Sequence, residues 1–315
     1  MNFAIGVYGY TFTRPFSVGG VEFLPLFGNF SEAKNKGRDA RALNLTGVLL
    51  VAMESRHELN SRRRTLADLE AVLSFSEQQR VVLANMAQVH TNEDVVAVLS
   101  GATDHELKQT ISDKLHAGEL ITGGLARPSG GACLQYDAFS PCMRPVFSQL
   151  AMERLADQQF NEATGFRSAF YRNVEIVKLG NVPIDVSYSL LFTGLELLAN
   201  KCPQIRNSWT LARKLETFLN EHGLEVTADE TQRIAACRNA LFHDGKYVGK
   251  YKNDAGARVE VSITELKRPG TLFTDALLKV AGYSDPHINW KRWLDRRPFF
   301  ARTKSTEQTT ALNPS

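Results

Sequence analysis

Between residues 123 and 145 the chain changes character, and that change limits what it can fold into. The stretch GGLARPSGGACLQYDAFSPCMRP is rich in Gly, Pro and Ser, which is loop chemistry. Leu134, Tyr136, Phe139 and Met143 are interleaved with it, so it is expected to pack against a neighbouring domain rather than swing as a free linker. Strand-like runs mixed with helical ones precede it, and helical periodicity dominates after it. The expected class is α+β. An N-terminal mixed α/β module covers 1–145, a C-terminal all-α helical bundle covers 146–302, and a polar, disordered tail covers 303–315. With 315 residues there is ample chain to bury a core in each of the two folded parts.

Within the first part, residues 3–12 alternate aromatic and small side chains. Residues 21–27 follow a Gly19-Gly20 turn, and the two runs together suggest a hairpin. Residues 43–53 (LNLTGVLLVAM) and 81–89 (VVLANMAQV) read as further strands. Residues 65–78 have helical spacing with Thr65 as a cap, and 92–99 and 104–116 also read as helices. Arg62, Arg63 and Arg64 form a short basic run just ahead of the 65–78 helix, of the kind that usually makes a solvated face.

In the second part the spacing predicts helices near 146–177, 184–200, 207–222, 227–244 and 262–281. Leu190, Leu191, Leu195, Leu197 and Leu198 give the second of these a broad apolar surface, with Glu196 set among them. Asn207 or Ser208 can cap the third, and Gly223 can end it. Asn253 and Gly256 lie between two strand-like runs in 247–261, which reads as a small inserted hairpin. Pro269-Gly270 should break or delay the last helix.

The stretch 227–245, TADETQRIAACRNALFHDG, carries the strongest local signals. Thr227 with Glu230 three residues later is a reciprocal capping pair, and Gly245 suits a left-handed stop. Ile234, Cys237 and Leu241 lay an apolar stripe along the helix, while Arg238, Asn239 and His243 crowd its last turns. On an ideal helix Arg238 and His243 stand roughly 140° apart around the axis and about 7.5 Å apart along it. Both tips can therefore face one groove.

The segment RNALFH resembles the Arg-polar-x-x-x-His signature of the HEPN superfamily, helical domains found in many prokaryotic RNA-cutting toxins and defence proteins. The resemblance extends over the second half of the chain. It implies a HEPN-like bundle that cuts RNA without a metal at a composite site in a homodimer. It assigns catalysis to Arg238, Asn239 and His243. The setting it implies is a toxin or anti-phage defence system in the cytoplasm, with an antitoxin or a phage-derived trigger as partner and the first domain as sensor or restraint. The chemistry suits these residue types. RNA brings its own 2′-hydroxyl nucleophile, histidine can give or take a proton near neutral pH, and the arginine fork matches phosphate oxygens. Glu196 is a candidate for lining the site. Its bland alternative is a core-edge carboxylate paired with an arginine.

Lys291, Arg292, Arg296 and Arg297 lie among Trp290, Trp293, Phe299 and Phe300, a mixture suited to single-stranded nucleic acid. The same aromatic residues would equally dock the chain end onto the bundle. The remaining histidines (His57, His90, His105, His116, His222, His287) show no metal-ligand spacing, and no glycine-rich phosphate loop is present, so neither metal nor cofactor is expected. The net charge of +3 is close to balance and does not itself point to nucleic acid. Four cysteines without CxxC spacing fit a reducing compartment. No basic, then apolar leader is visible at the N-terminus, and no apolar run approaches the ~20 residues that span a bilayer. A rival function is a non-catalytic RNA- or nucleotide-binding or dimerisation module, with the activity residing in the N-terminal domain.

Overall fold

The computed structural model describes residues 2–37, 42–52, 58–89, 120–121, 132–179, 183–253, 255–295 and 297–300. The helices expected at 92–99 and 104–116, the tail at 303–315 and Arg296 lie outside the described residues. An antiparallel sheet forms first and helices follow, so the chain is α+β.

Five strands make the sheet: β1 (Asn2–Tyr8), β2 (Phe16–Val18), β3 (Val21–Pro25), β5 (Leu45–Ala52) and β6 (Val82–Val89), in the order β2-β3-β5-β1-β6. A two-residue strand, β4 (Ala42–Leu43), pairs with β7 (Leu120–Ile121) beside it. The Gly19-Gly20 hairpin exists, but its first arm is β2, with Phe16 opposite Phe23. The 3–12 run instead supplies the inner strand β1, paired with β5 on one side and β6 on the other. A strand apolar on both faces belongs inside a sheet covered on both sides. Phe3, Ile5 and Val7 pack on one face, while Ala4 and Tyr8 pack on the other.

Among the described residues two helices accompany the sheet, α1 (Phe30–Gly37) and α2 (Glu58–Glu77). The second starts a full two turns before Thr65, because Glu58 pairs with Arg62 one turn on at 2.9 Å. The Arg62–Arg64 run thus belongs to the helix. Leu69 and Leu73 of α2 pack on the sheet, while Ala71, Val72 and Phe75 belong to the core of the helical half.

That half contains α3 (Met143–Ala156), α4 (Gln158–Thr164), α5 (Phe166–Leu179), α6 (Ile184–Asn200), α7 (Leu211–Glu221), α8 (Ala228–Asp244), α9 (Pro269–Val280) and the short α10 (Arg292–Asp295). The single helix expected at 146–177 is three. Asp157 leaves helical geometry to cap α4 through the Phe160 amide, and α4 stops at Gly165. Thr210, not Asn207 or Ser208, caps α7. Pro269 opens α9 at its first turn, where its missing N–H costs nothing. The bundle is not all-α. The hairpin β8 (Val248–Lys252) and β9 (Arg258–Ser262) lies between α8 and α9.

Ion pairs join the halves across α2. Asp68 binds Arg167, Glu70 binds Lys178 and Glu77 binds Arg144, at 2.6, 2.7 and 2.6 Å. Burial opposes the Arg144 charge, but Glu77 and the rings of Tyr10 and Tyr136 outweigh it and raise its pKa. Breaking such a buried pair from one side costs about 3–5 kcal/mol. Residues 132–142 pack between the halves, with Cys133 and Leu134 buried in the helical core. Among the described residues no helix is long and apolar enough to cross a membrane.

Candidate functional site

Helix α8 is built as its sequence spells. The Thr227 hydroxyl accepts from the Glu230 amide, and the Glu230 carboxylate accepts from the Thr227 amide, closing a capping box. At the other end Gly245 takes a left-handed φ of 62°. Its amide bonds the Leu241 carbonyl, and the Lys246 amide bonds that of Ala240. Ile234 and Cys237 are buried in the core, and burial pushes the Cys237 thiol up to about 11. Beside this stripe lies Arg238, half-buried, while Asn239 and His243 are both exposed.

Arg238 is held in place. Its Nε and Nη2 donate to Glu196 Oε2 at 3.2 and 2.8 Å, and its Nη1 donates to Asn239 Oδ1 at 3.2 Å. The guanidinium also lies 4.9 Å from the centre of the Phe242 ring. Three of the five arginine donors are thereby used, and two stay open to an incoming acceptor. Glu196 reaches Arg238 from α6, so both readings of that carboxylate meet in one contact. It pairs with an arginine, and that arginine is the candidate catalytic one.

His243 stands apart. Histidine near a helix end often serves the last carbonyls, and His222 does so at the end of α7, with Nδ1 2.8 Å from the Phe218 carbonyl. Nothing of the kind holds His243. Two carbonyls at this helix end are taken by the Gly245 and Lys246 amides, and the imidazole makes no hydrogen bond or ion pair among the described residues. Close to it in sequence, Phe242, Tyr247 and Val248 are large apolar side chains exposed by 42, 45 and 43%.

The hairpin that follows is clamped to α8 by close backbone approach. A Cβ on Gly249 would sit 2.4 Å from the Ala236 carbonyl oxygen, so only glycine lets β8 lie this close. No sequence signal pointed to this contact, since a lone glycine in a strand-like run has several readings.

The segment 289–300 divides. Trp293 is buried in the bundle, and Trp290 lies against Lys279, whose ammonium is 3.7 Å from the ring centre. Arg292 is turned inward onto Asp275 and donates to the Cys133 carbonyl, which removes it from any surface platform. The buried carboxylate explains this inversion. Asp275 is fully buried on α9, and its burial raises the carboxyl pKa while Arg292 opposes the rise. Lys291 remains on the surface, paired with Glu225 at 2.6 Å, and Arg297 is exposed. Docking is thus the main work of these aromatic residues.

The apolar surface expected on α6 is also largely internal. Leu191, Leu195 and Leu198 enter the core, and Leu190 and Leu197 are half-buried. Among the described residues no three His, Cys, Asp or Glu side chains converge as a metal site. Comparison of the chain with protein-family models, curated proteins and solved structures finds no match.

Proposed function

We propose that this protein is an endoribonuclease of the HEPN type that cuts RNA without a metal ion and works as a homodimer. The observation that carries the reading is the contrast at the end of α8: an arginine fixed by Glu196, and an exposed histidine with no hydrogen bond or ion pair among the described residues. In the proposed reaction a histidine takes the proton of the 2′-hydroxyl as its oxygen attacks the adjacent phosphorus. Arg238 balances the charge gathering on the phosphoryl oxygens. The bond to the 5′-oxygen then breaks, and that oxygen receives a proton from a second histidine.

One His243 cannot stand at both ends of the bond. A two-fold axis through this surface supplies the second copy, and Phe242, Tyr247 and Val248 provide the apolar contact such an axis needs. The N-terminal half is assigned the sensing or restraint of the nuclease, in a toxin or anti-phage defence role.

Single-stranded RNA incubated with the purified protein in EDTA should be cut to fragments ending in 2′,3′-cyclic phosphate. DNA of the same sequence should survive, because it lacks the internal nucleophile. Strict dependence on added magnesium, or equal cleavage of DNA, would refute the proposal.

A further inference from the structure

A cavity of about 880 Å³ opens between the two halves, away from the Arg238–His243 surface in its lining residues. Its volume falls in the range of about 300–1,000 Å³ typical of small-molecule sites. One wall comes from Lys34 of α1 and the segment 132–139. The other comes from the start of α6, the start of α9 and residues 298–299.

The lining is strongly biased in charge. Lys34, Arg268 and Arg292 contribute to it, and among the described lining residues there is no carboxylate. Arg292 is balanced by Asp275 behind it, but Lys34 and Arg268 have no ion-pair partner among the described residues. Arg268 holds a left-handed backbone, φ 39° and ψ 53°, and offers α9 no side-chain cap. The Thr271 and Leu272 amides turn onto the Arg268 carbonyl, whereas the Gly270 amide makes no hydrogen bond among the described residues. A Cβ on Gly270 would meet nothing within 4 Å, so a side chain placed there has room. Aromatic residues line the same space, Tyr136 and Phe139 from one wall and Tyr188 from the other, with Arg144 packed 4.0 Å over the Tyr136 ring.

We propose that this cavity binds a nucleoside phosphate, the phosphate between Lys34, Arg268 and the Gly270 amide and the base among the aromatic rings. Two unneutralised cations and an open amide call for an anion. The rings call for a flat π-system. A nucleoside phosphate joins both demands in one small molecule. Helix α6 runs from this cavity, through Tyr188, to Glu196 at the candidate nuclease site, so ligand binding and the setting of Arg238 share one rigid element.

The test is titration calorimetry on the full chain with AMP, GMP, CMP and UMP, and with adenosine and inorganic phosphate as half-ligands. At least one nucleoside monophosphate should bind in the micromolar range, at least tenfold tighter than either half-ligand. Gly270→Glu fills the anion site with a carboxylate that the helix N-terminus favours, so the fold should hold. That variant should bind at least tenfold more weakly with an unchanged or higher Tm, and the double variant K34A/R268A should be weakened likewise. No binding of any nucleotide up to millimolar concentration would overturn the proposal, as would wild-type affinity in Gly270→Glu or phosphate binding as tightly as a nucleotide. Binding heat is read without RNA cleavage, so this result stands apart from the nuclease reading.

Discussion

His222 and His243 close successive helices under opposite circumstances. His222 lies on Phe218, its ring 4.6 Å from the phenyl centre, and bonds the carbonyl beneath it. His243 lies at a helix end where the Gly245 and Lys246 amides take the Leu241 and Ala240 carbonyls, and its imidazole makes no hydrogen bond or ion pair among the described residues. Its presence was legible in the sequence through the RNALFH spacing, but its lack of a task was not, because backbone amides beyond the helix decide it. Glu196 was legible only as an odd charge among leucines. Its partner lies 42 positions away, and only packing of α6 on α8 brings the two together. Glu196→Gln should keep the shape of the contact and remove the charge that orients Arg238. The pair is partly exposed, so stability should change by about 1 kcal/mol or less. A misplaced phosphate clamp, however, can cost up to about 100-fold in rate. Turnover measured beside thermal unfolding separates the two, and unchanged kcat would show that the pair is only structural.

Helix α8 shows how far local rules reach at the scale of an element. Its capping box, apolar stripe and terminal glycine all fall where the residue pattern put them, because each is satisfied within a turn or two of chain. The start of α2 and the breaks around α4 were misplaced for the same reason in reverse. Thr65 looks like a cap but sits mid-helix, whereas Asp157 is a working cap inside a run that reads as continuous. The pairing of β1 with β5 and β6 was hidden as well, since a strand apolar on both faces can take several partners. The hairpin β8–β9 carries the next expectation. Val248 points outward from it, opposite Ser262, beside the exposed Phe242 and Tyr247 in sequence. Val248→Asp should leave the fold intact and place two carboxylates near the proposed two-fold axis. Sedimentation velocity should show dimerisation weakened about tenfold or more, with cleavage falling in step. Full activity in a monomeric variant would remove the dimer from the account.

For the molecule as a whole, the sheet comes before the helices in sequence, which fits a change of pattern near 123–145, but that change does not show how closely the two parts join. Helix α2 has two apolar faces, one in each core, and its Asp68, Glu70 and Glu77 tie it to α3 and α5. Such a helix reads as ordinary from its sequence, because nothing in a periodic pattern says that both sides are covered. The inward turn of Arg292 was unreadable for a similar reason. A basic run looks solvated until a buried Asp275, 17 positions earlier, claims one member.

The central claim is that the end of α8 is a catalytic surface, and His243→Ala tests it most directly. An exposed side chain without partners should cost about 1 kcal/mol or less when removed. A lost proton-transfer group should lower the rate about 10²- to 10⁴-fold. The measurement is RNA cleavage in EDTA beside thermal unfolding, for the wild type and this one variant. An unchanged melting temperature with cleavage reduced at least a hundredfold is the predicted result. A sharply lowered melting temperature with specific activity intact would contradict it and make His243 a structural residue.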